Sequence, residues 1–494
     1  MKKVSLEKYF VGLSKDSLIY GSGNAVLKIL ALITAPIFTR IFLPAEYGVI
    51  SLIASVISFV SLFLIFGMDN AIFVSYYQYK KERKEVISSA FWFLLLWGLI
   101  IITLASFLSP YLAQLIFKTP LYRTLFLIAF WTAYLTLLIN LAKVVFRLEF
   151  RAKTFAFIAG CNAILSTGLM IYFTYFLKLG LGGYFFGSLL GTFFSLILAL
   201  YLIRRTLQFK ISFSRLKEMI LFGAMIVPAS LSFFVFDLSD RFFINHYRNL
   251  SELGLYSIGV NIASILVFFS FALGQAWSPQ VMKIYFEQKK VFYQFVPRFF
   301  LYYLIFFFGG ALLISLFGQE ILKIFATPSF YGSAKVIAPL SLAMVFAASG
   351  QVTSLGITLS RKTKYLAFYT GLAAILNIIL NFFLIPKYGM VGAGWATALS
   401  YLFLTVAYYF NSQKFIPLQF DWSKIAKLAF VTFGIILFSS QLWRFNFGGN
   451  LAVKFAQVIG FFLLLYLLGV IEKKEIQYLK IYLKRFLKIG KSQR

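Results

Sequence analysis

Fourteen apolar runs, each long enough to cross a bilayer, leave this chain little choice of fold class. They fall at about 17–39, 47–77, 86–108, 121–146, 154–177, 181–203, 217–243, 254–277, 291–317, 336–359, 365–385, 390–411, 425–443 and 452–471. A hydrocarbon core about 30 Å thick takes about 20 helical residues to span. Lipid offers the backbone no hydrogen bonds, so a spanning segment is a helix or part of a closed barrel. None of the runs shows the alternation of a strand, and all are read as helices. Hydrophobic residues are 61% of the chain and charged ones 13%, too apolar a balance for a water-soluble fold to bury. An ordinary soluble enzyme is excluded. The expected fold is an all-α polytopic membrane protein with about 14 transmembrane helices. The segment Leu18–Phe38 is too long for a signal-peptide core and reads as the first membrane helix. The run at 47–77, with its polar tail from Asp69, is the least regular.

Against this apolar background stand 47 Lys and Arg and only 16 Asp and Glu, a net charge of +31. Such an excess often marks a nucleic-acid binder. Here the cations are dispersed over short loops, and no nucleic-acid partner is expected. With the N-terminus on side one, 34 cations fall on that side, 11 on the other, and two, Lys28 and Lys143, inside spans. The bias alternates with the runs and predicts both termini in the cytoplasm. The basic tail from Glu472 to Arg494 carries interspersed Ile and Leu; it reads either as a helix lying on an anionic leaflet or as a solvated tail. Cys161 and His246 are each the only residue of their kind, so neither an internal disulfide nor a His/Cys zinc site can form. His246 reads as an outer-loop residue.

The chain also repeats itself. Glu46-Tyr47-Gly48-Val49-Ile50-Ser51 matches Glu252-Leu253-Gly254-Leu255-Tyr256-Ser257, and Lys178-x-Gly180-x-x-Gly183 matches Lys387-x-Gly389-x-x-Gly392. The offsets, 206 and 209 residues, are nearly equal and cover six helices, an even number, so the halves share one orientation. This predicts two pseudo-symmetric six-helix bundles, 1–205 and 217–412. A cytoplasmic linker at 206–216 joins them, and 413–494 adds two C-terminal helices and a basic tail. Two like bundles point to alternating access around a site between them.

Several stretches resemble the Wzx-type polysaccharide flippases of the MOP superfamily. They are Thr39-Arg40-Ile41-Phe42-Leu43-Pro44-Ala45-Glu46-Tyr47-Gly48, Gly67-Met68-Asp69-Asn70-Ala71, Ser239-Asp240-Arg241-Phe242-Phe243-Ile244 and Tyr388-Gly389-Met390-Val391-Gly392-Ala393. The resemblance covers essentially the whole chain. It implies a MOP/MATE-like arrangement in a prokaryotic plasma membrane. It also implies a transporter that moves undecaprenyl-diphosphate-linked oligosaccharide from the inner to the outer leaflet. The partners implied are that lipid-linked oligosaccharide, membrane lipids, and a polysaccharide polymerase or glycosyltransferases. Phe73-Val74-Ser75 departs from the family pattern, since many relatives carry a basic residue there.

Ionisable residues inside spans are costly and usually face a protein interior or a wet cavity. Lys28 lies on a stripe with Ser17, Gly21, Asn24, Ala31 and Ala35, which reads as a cavity wall or as one side of a salt bridge. Asn140, Lys143, Arg147 and Arg151 share one face of the fourth run, a ladder suited to a diphosphate. Arg147 and Arg151 also suit anchoring at lipid headgroups. The expected substrate-binding residues are Asn24, Lys28, Asn140, Lys143 and Arg147. Asp69, Asp237, Asp240 and Arg241 are the gate or ion-coupling candidates, with Asp237 and Arg241 spaced for a structural ion pair. No cofactor or metal is expected; H+ or Na+ is a coupling candidate. A lipid II flippase would use the same diphosphate chemistry. A MATE-type drug/cation antiporter would call for a more acidic or aromatic cavity. A membrane-embedded glycosyltransferase or polymerase would need carboxylates or a large outer loop that this chain lacks. No GxxxxGK[ST] phosphate loop occurs.

Overall fold

The computed structural model describes residues 34–444 and 451–472. A short helical end, α1 (34–41), leads into α2 (Pro44–Ile65), α3 (Met68–Gln78), α4 (Arg83–Phe117), α5 (Arg123–Leu148), α6 (Ala152–Ile171) and α7 (Gly180–Ile203). Then come α8 (Phe213–Tyr247), α9 (Leu250–Ala263), α10 (Ile265–Glu287), α11 (Lys289–Leu316), α12 (Gly318–Phe325) and α13 (Ala334–Thr353). The last are α14 (Leu355–Leu359), α15 (Lys364–Gln413), α16 (Trp422–Arg444) and α17 (Leu451–Leu467). Among the described residues, eleven helical segments are long and apolar enough to cross a bilayer, and the chain is a multi-pass helical membrane protein. One of the eleven, α15, holds two of the sequence runs. At Gly389 the backbone leaves the helix with φ 57° and ψ −138°, a left-handed conformation that suits glycine. The last run corresponds to α17, whose 17 residues are fewer than those of the others. The first run lies outside the described residues up to position 33.

The run at 47–77 is two helices. Phe66 (φ 50°) and Gly67 (φ 67°) both take the left-handed conformation, which ends α2 and starts α3. The break is where α8 crosses: a Cβ on Gly67 would meet the Gly223 carbonyl oxygen at 2.6 Å, and one on Gly223 would meet that of Phe66 at 2.2 Å. Two glycines thus let two backbones touch. At the other end, Pro44 opens α2 in its first turn, and Glu46 reaches back to accept the Leu43 amide at 2.9 Å. Helix α8 runs on through Pro228.

The chain forms two compact units. The first comprises Met1–Ile258, Leu322–Ser333 and Ala367–Thr397; the second comprises Gly259–Ile321, Ala334–Leu366 and Ala398–Arg494. In the first, α5 is the central helix and packs on α2, α4 and α7, while α8 lies against α2, α3 and α4. Its buried Phe126, Phe130 and Tyr134 recur every fourth residue and fill one face. In the second, α11 takes the central place, against α10, α13 and α16.

The internal repeat has a structural signature inside the first unit. Ser257 Oγ donates to Ser51 Oγ at 2.8 Å, a hydrogen bond between two repeat-related residues. Beside it the repeat-related glycines exchange places: a Cβ on Gly48 would fall 2.1 Å from the Leu250 carbonyl oxygen, and one on Gly254 would fall 1.8 Å from that of Pro44. The starts of α2 and α9 therefore pack backbone to backbone. Small residues at this spacing are what allow it.

Two single residues differ from the sequence reading. His246 lies in the last turn of α8, its ring 4.8 Å from that of Tyr247, and not in a loop. Lys454, counted among the loop cations, is buried in the first turns of α17, and its ammonium donates to both carboxylate oxygens of Glu320 at 2.6 and 2.8 Å.

Candidate functional site

A cavity of about 330 Å³ lies within the first unit, walled by α2, α5 and α7. Its polar lining comes from Ser58 and Ser61 on α2, Thr132, Thr136 and Asn140 on α5, and Tyr184 and Ser188 on α7. Spacings of three and four residues put each set on one helix face. Three hydroxyls have already committed their protons. Ser58 donates to Ala54, Thr132 to Ile128 and Thr136 to Thr132, all to carbonyls one turn back at 2.8–2.9 Å. Their remaining lone pairs accept, so the wall suits a ligand that brings O–H donors. The Asn140 amide supplies both a donor and an acceptor.

The stripe continues along α5. Thr132, Thr136, Asn140, Lys143 and Arg147 follow at steps of four, four, three and four, over about 22 Å of helix. Lys143 is half-buried and makes no ion pair among the described residues. Arg147 is exposed and lays its guanidinium 4.3 Å from the centre of the Phe73 ring. Arg151 is tied down: it pairs with Glu149 at 3.3 Å, and Glu149 in turn accepts from Thr206 at 3.0 Å. The expected ladder therefore divides into a half-buried cation, an aromatic-seated one and an anchored one. Asn24 and Lys28 lie outside the described residues.

The acidic candidates are dispersed. Asp69 is exposed in the first turn of α3, where the helix dipole favours a carboxylate, and Asn70 donates to it at 3.3 Å. Asp240 is buried; it accepts the Tyr256 hydroxyl and, at 2.7 Å, the Arg241 amide. Next to it Ser239 donates to Asn377 at 3.0 Å, and Asn381 donates to Asn377 at 2.9 Å. Asn377 and Asn381 are fully buried, one turn apart, on the part of α15 before Gly389. The Asp237 side chain lies outside the described ones, and so does its expected pairing with Arg241. Among the described residues, no three His, Cys, Asp or Glu side chains converge as metal ligands.

Sequence reasoning singled out Asn140, Lys143 and Asp240 because charge and amide groups are conspicuous in apolar runs. It passed over Ser58, Thr132 and Thr136, since a hydroxyl in a membrane helix usually satisfies itself. The four-residue steps from Thr132 to Asn140 were the available signal. For Asn377 and Asn381 it was again the four-residue spacing.

A family model described as polysaccharide biosynthesis protein matches residues 37–296. A capsular polysaccharide biosynthesis protein, CapF, of Staphylococcus aureus is 28% identical over 165 residues, 32% of this chain and 41% of that protein. A probable low-salt glycan biosynthesis flippase, Agl15, of Haloferax volcanii is 26% identical over 227 residues, 44% of this chain and 46% of that one. The matched stretches thus span less than half the length of these curated relatives. Among solved structures, the lipid II flippase MurJ in an inward closed conformation superposes with a TM-score of 0.69 at 16% identity, covering 94% of this chain and all of that one. An inward-facing multidrug resistance MATE transporter of the MOP superfamily gives a TM-score of 0.60 at 14% identity, covering 78% of this chain and 93% of that one. At these identities the likeness is one of fold.

Proposed function

The chain belongs to the polysaccharide biosynthesis protein family, and from that membership we propose that it is a flippase for a lipid-linked oligosaccharide, an undecaprenyl-diphosphate glycan, working by alternating access. The observation that carries this reading is the α5 stripe. Its cavity end presents hydroxyl lone pairs and one amide, a lining for a sugar's O–H groups. Its other end presents Lys143 and Arg147, a lining for a diphosphate. One helix face thus offers in sequence what a glycan and its phosphates need. Asn24 and Lys28 complete the proposed binding set. The naming of a Haloferax volcanii relative as a probable glycan biosynthesis flippase supports the same substrate class.

Movement needs two states that differ in affinity for the substrate. In this proposal the bundles at 1–205 and 217–412 rock, and the α2–α9 contact at Ser51 and Ser257 is the closure that must part. Asp240, buried against the Tyr256 hydroxyl, is the proposed carboxylate for coupling to H+ or Na+, with Asp69, Asp237 and Arg241 as gate residues. The protein makes and breaks no covalent bond. Its setting is a prokaryotic plasma membrane with cytoplasmic termini, alongside the polymerase or glycosyltransferases that use the same lipid carrier.

The test is reconstitution. Purified protein in liposomes is expected to move fluorescent undecaprenyl-diphosphate sugars from one leaflet to the other. No movement, together with saturable export of an organic cation, would place the chain with the drug antiporters instead.

A further inference from the structure

A second cavity in the first unit, of about 350 Å³, is unrelated to the α2–α5–α7 one. Its lining is Ile37, Arg40, Ile41, Thr174, Tyr175 and Lys178. Ile37, Arg40 and Ile41 stand at steps of three and one, on one face at the end of α1. Thr174 and Tyr175 belong to a π-helical turn, Tyr172–Phe176, that follows α6. Lys178 lies in the turn before α7 with φ 55°, a left-handed conformation that is strained for a residue with a Cβ. Both cations are exposed, and neither forms an ion pair or a hydrogen bond among the described residues.

The arginine stands on a fixed support. Thr39 donates to the Phe325 carbonyl at 2.9 Å, and its own carbonyl accepts from Thr327 at 3.1 Å. The Phe38 ring meets Tyr184 edge-on at 5.2 Å. The repeat-related turn in the other half makes an informative contrast. There Gly389, with φ 57°, matches Gly180, with φ 55°. Glu252 accepts the Met390 amide at 2.7 Å, and Arg248 donates to the Pro386 carbonyl at 2.8 Å. That turn is closed by the protein's own charges. In the first half, Glu46, the counterpart of Glu252, is turned back to Leu43 on its own helix. No carboxylate of the described protein reaches Arg40 or Lys178.

We propose that this groove binds the phosphate of an anionic membrane lipid, with Arg40 and Lys178 on the phosphate and an acyl chain on Ile37, Ile41 and Tyr175. A guanidinium holds phosphate oxygens through two parallel hydrogen bonds, and an ammonium adds a point charge. Lys178 falls between two candidate spans, Ala152–Phe176 and Gly180–Ile203, the level at which lipid headgroups lie. The apolar floor favours a lipid over free phosphate, which would lose hydration there with nothing apolar to bury. The site does not depend on the transport reading and holds whatever the protein carries.

Native mass spectrometry of the delipidated full chain tests it, with dioleoylphosphatidylglycerol, dioleoylphosphatidylcholine and inorganic phosphate as probes. The wild type is expected to retain phosphatidylglycerol in preference to phosphatidylcholine, and millimolar phosphate is expected not to displace it. The Arg40→Gln/Lys178→Gln double variant is expected to bind phosphatidylglycerol about thirtyfold more weakly, roughly one surface cation's worth for each residue lost. Arg40→Lys/Lys178→Arg is expected to bind it nearly as the wild type does. A Lys118→Gln/Arg123→Gln variant removes the same charge from two other exposed positions and is expected to change nothing. An equal loss in that variant would overturn the site in favour of general surface charge. Displacement by phosphate would overturn the lipid as its occupant.

Discussion

Lys143 is half-buried on a helix face that also carries Asn140, and it makes no ion pair among the described residues. Such a cation is expensive to keep in a membrane helix unless a ligand uses it. Replacing it with Ala removes one charge-assisted contact, worth about 1.5–3 kcal/mol. Flipping of the fluorescent lipid-linked sugar is then expected to fall about tenfold to a hundredfold, with the protein still folded by circular dichroism. Wild-type rates would refute the anion role. Lys454 is the opposite case. Its ammonium is buried against Glu320, and removing one partner leaves the other charge uncompensated. Lys454→Met is expected to cost about 3–5 kcal/mol, read as a lower melting temperature, while Lys454→Met/Glu320→Gln recovers part of the loss. A double variant no better than the single one would show that the pair is not what Lys454 contributes. The sequence alone ranked Lys454 with the loop cations because it sits near the edge of a run; only its neighbour distinguishes the two lysines.

At the scale of elements, the segment joining α7 to α8 is held against the start of α4. Ser88 and Ser89 accept the amides of Gln208 and Ser212 at 2.8 and 2.9 Å, and Trp92 donates to the Gln208 carbonyl at 3.0 Å. Charges reinforce it: Lys210 pairs with Glu85 at 2.5 Å and Arg215 with Glu82 at 3.0 Å, while the Tyr79 hydroxyl donates to Glu218. The hydrogen bond from Arg215 holds the Glu82 carboxyl below its ordinary value, and the bond to Glu218 raises the Tyr79 hydroxyl above its own. A depressed carboxylate stabilises the docked form above its unfolded pKa, and that contribution is lost as pH falls through the folded one. The raised phenol works the other way, and its contribution disappears as pH rises through its folded value. Lys210 and Glu218 are exposed and their partners half-buried, so salt screens the ion pairs in part. Hydrogen exchange at the Gln208 and Ser212 amides, corrected for intrinsic rates, is expected to speed up in acid and in Arg215→Ala. Unchanged protection in that variant would assign the docking to the serines and Trp92 alone. The run pattern located this linker, but nothing in it indicated that the linker is stapled to α4, because the partners are more than a hundred residues away.

For the whole molecule, the alternating access proposed above has the repeat-related ends of α2 and α9 separate during the cycle. Ser51 and Ser257 touch at 2.8 Å, so a Ser51→Cys/Ser257→Cys pair is placed for cross-linking. Oxidation is expected to stop lipid flipping, and reduction to restore it, with no such effect in either single variant. Full transport in the oxidised pair would show that this contact stays closed throughout the cycle. The sequence by itself determined the helical class, because lipid leaves a backbone no other way to satisfy itself. It also determined the repeat, because a duplicated turn needs its glycines in both copies. Tertiary structure alone decided that the run at 47–77 breaks at Phe66–Gly67, since the break depends on Gly223 of α8 arriving there. It alone separated the buried, paired Lys454 from Lys143, which has no ion pair among the described residues, and brought serines and threonines from three helices around one cavity. Hydropathy records the free energy of a residue in lipid. Whether a polar group meets a partner, a cavity or a headgroup is set by what another segment places beside it.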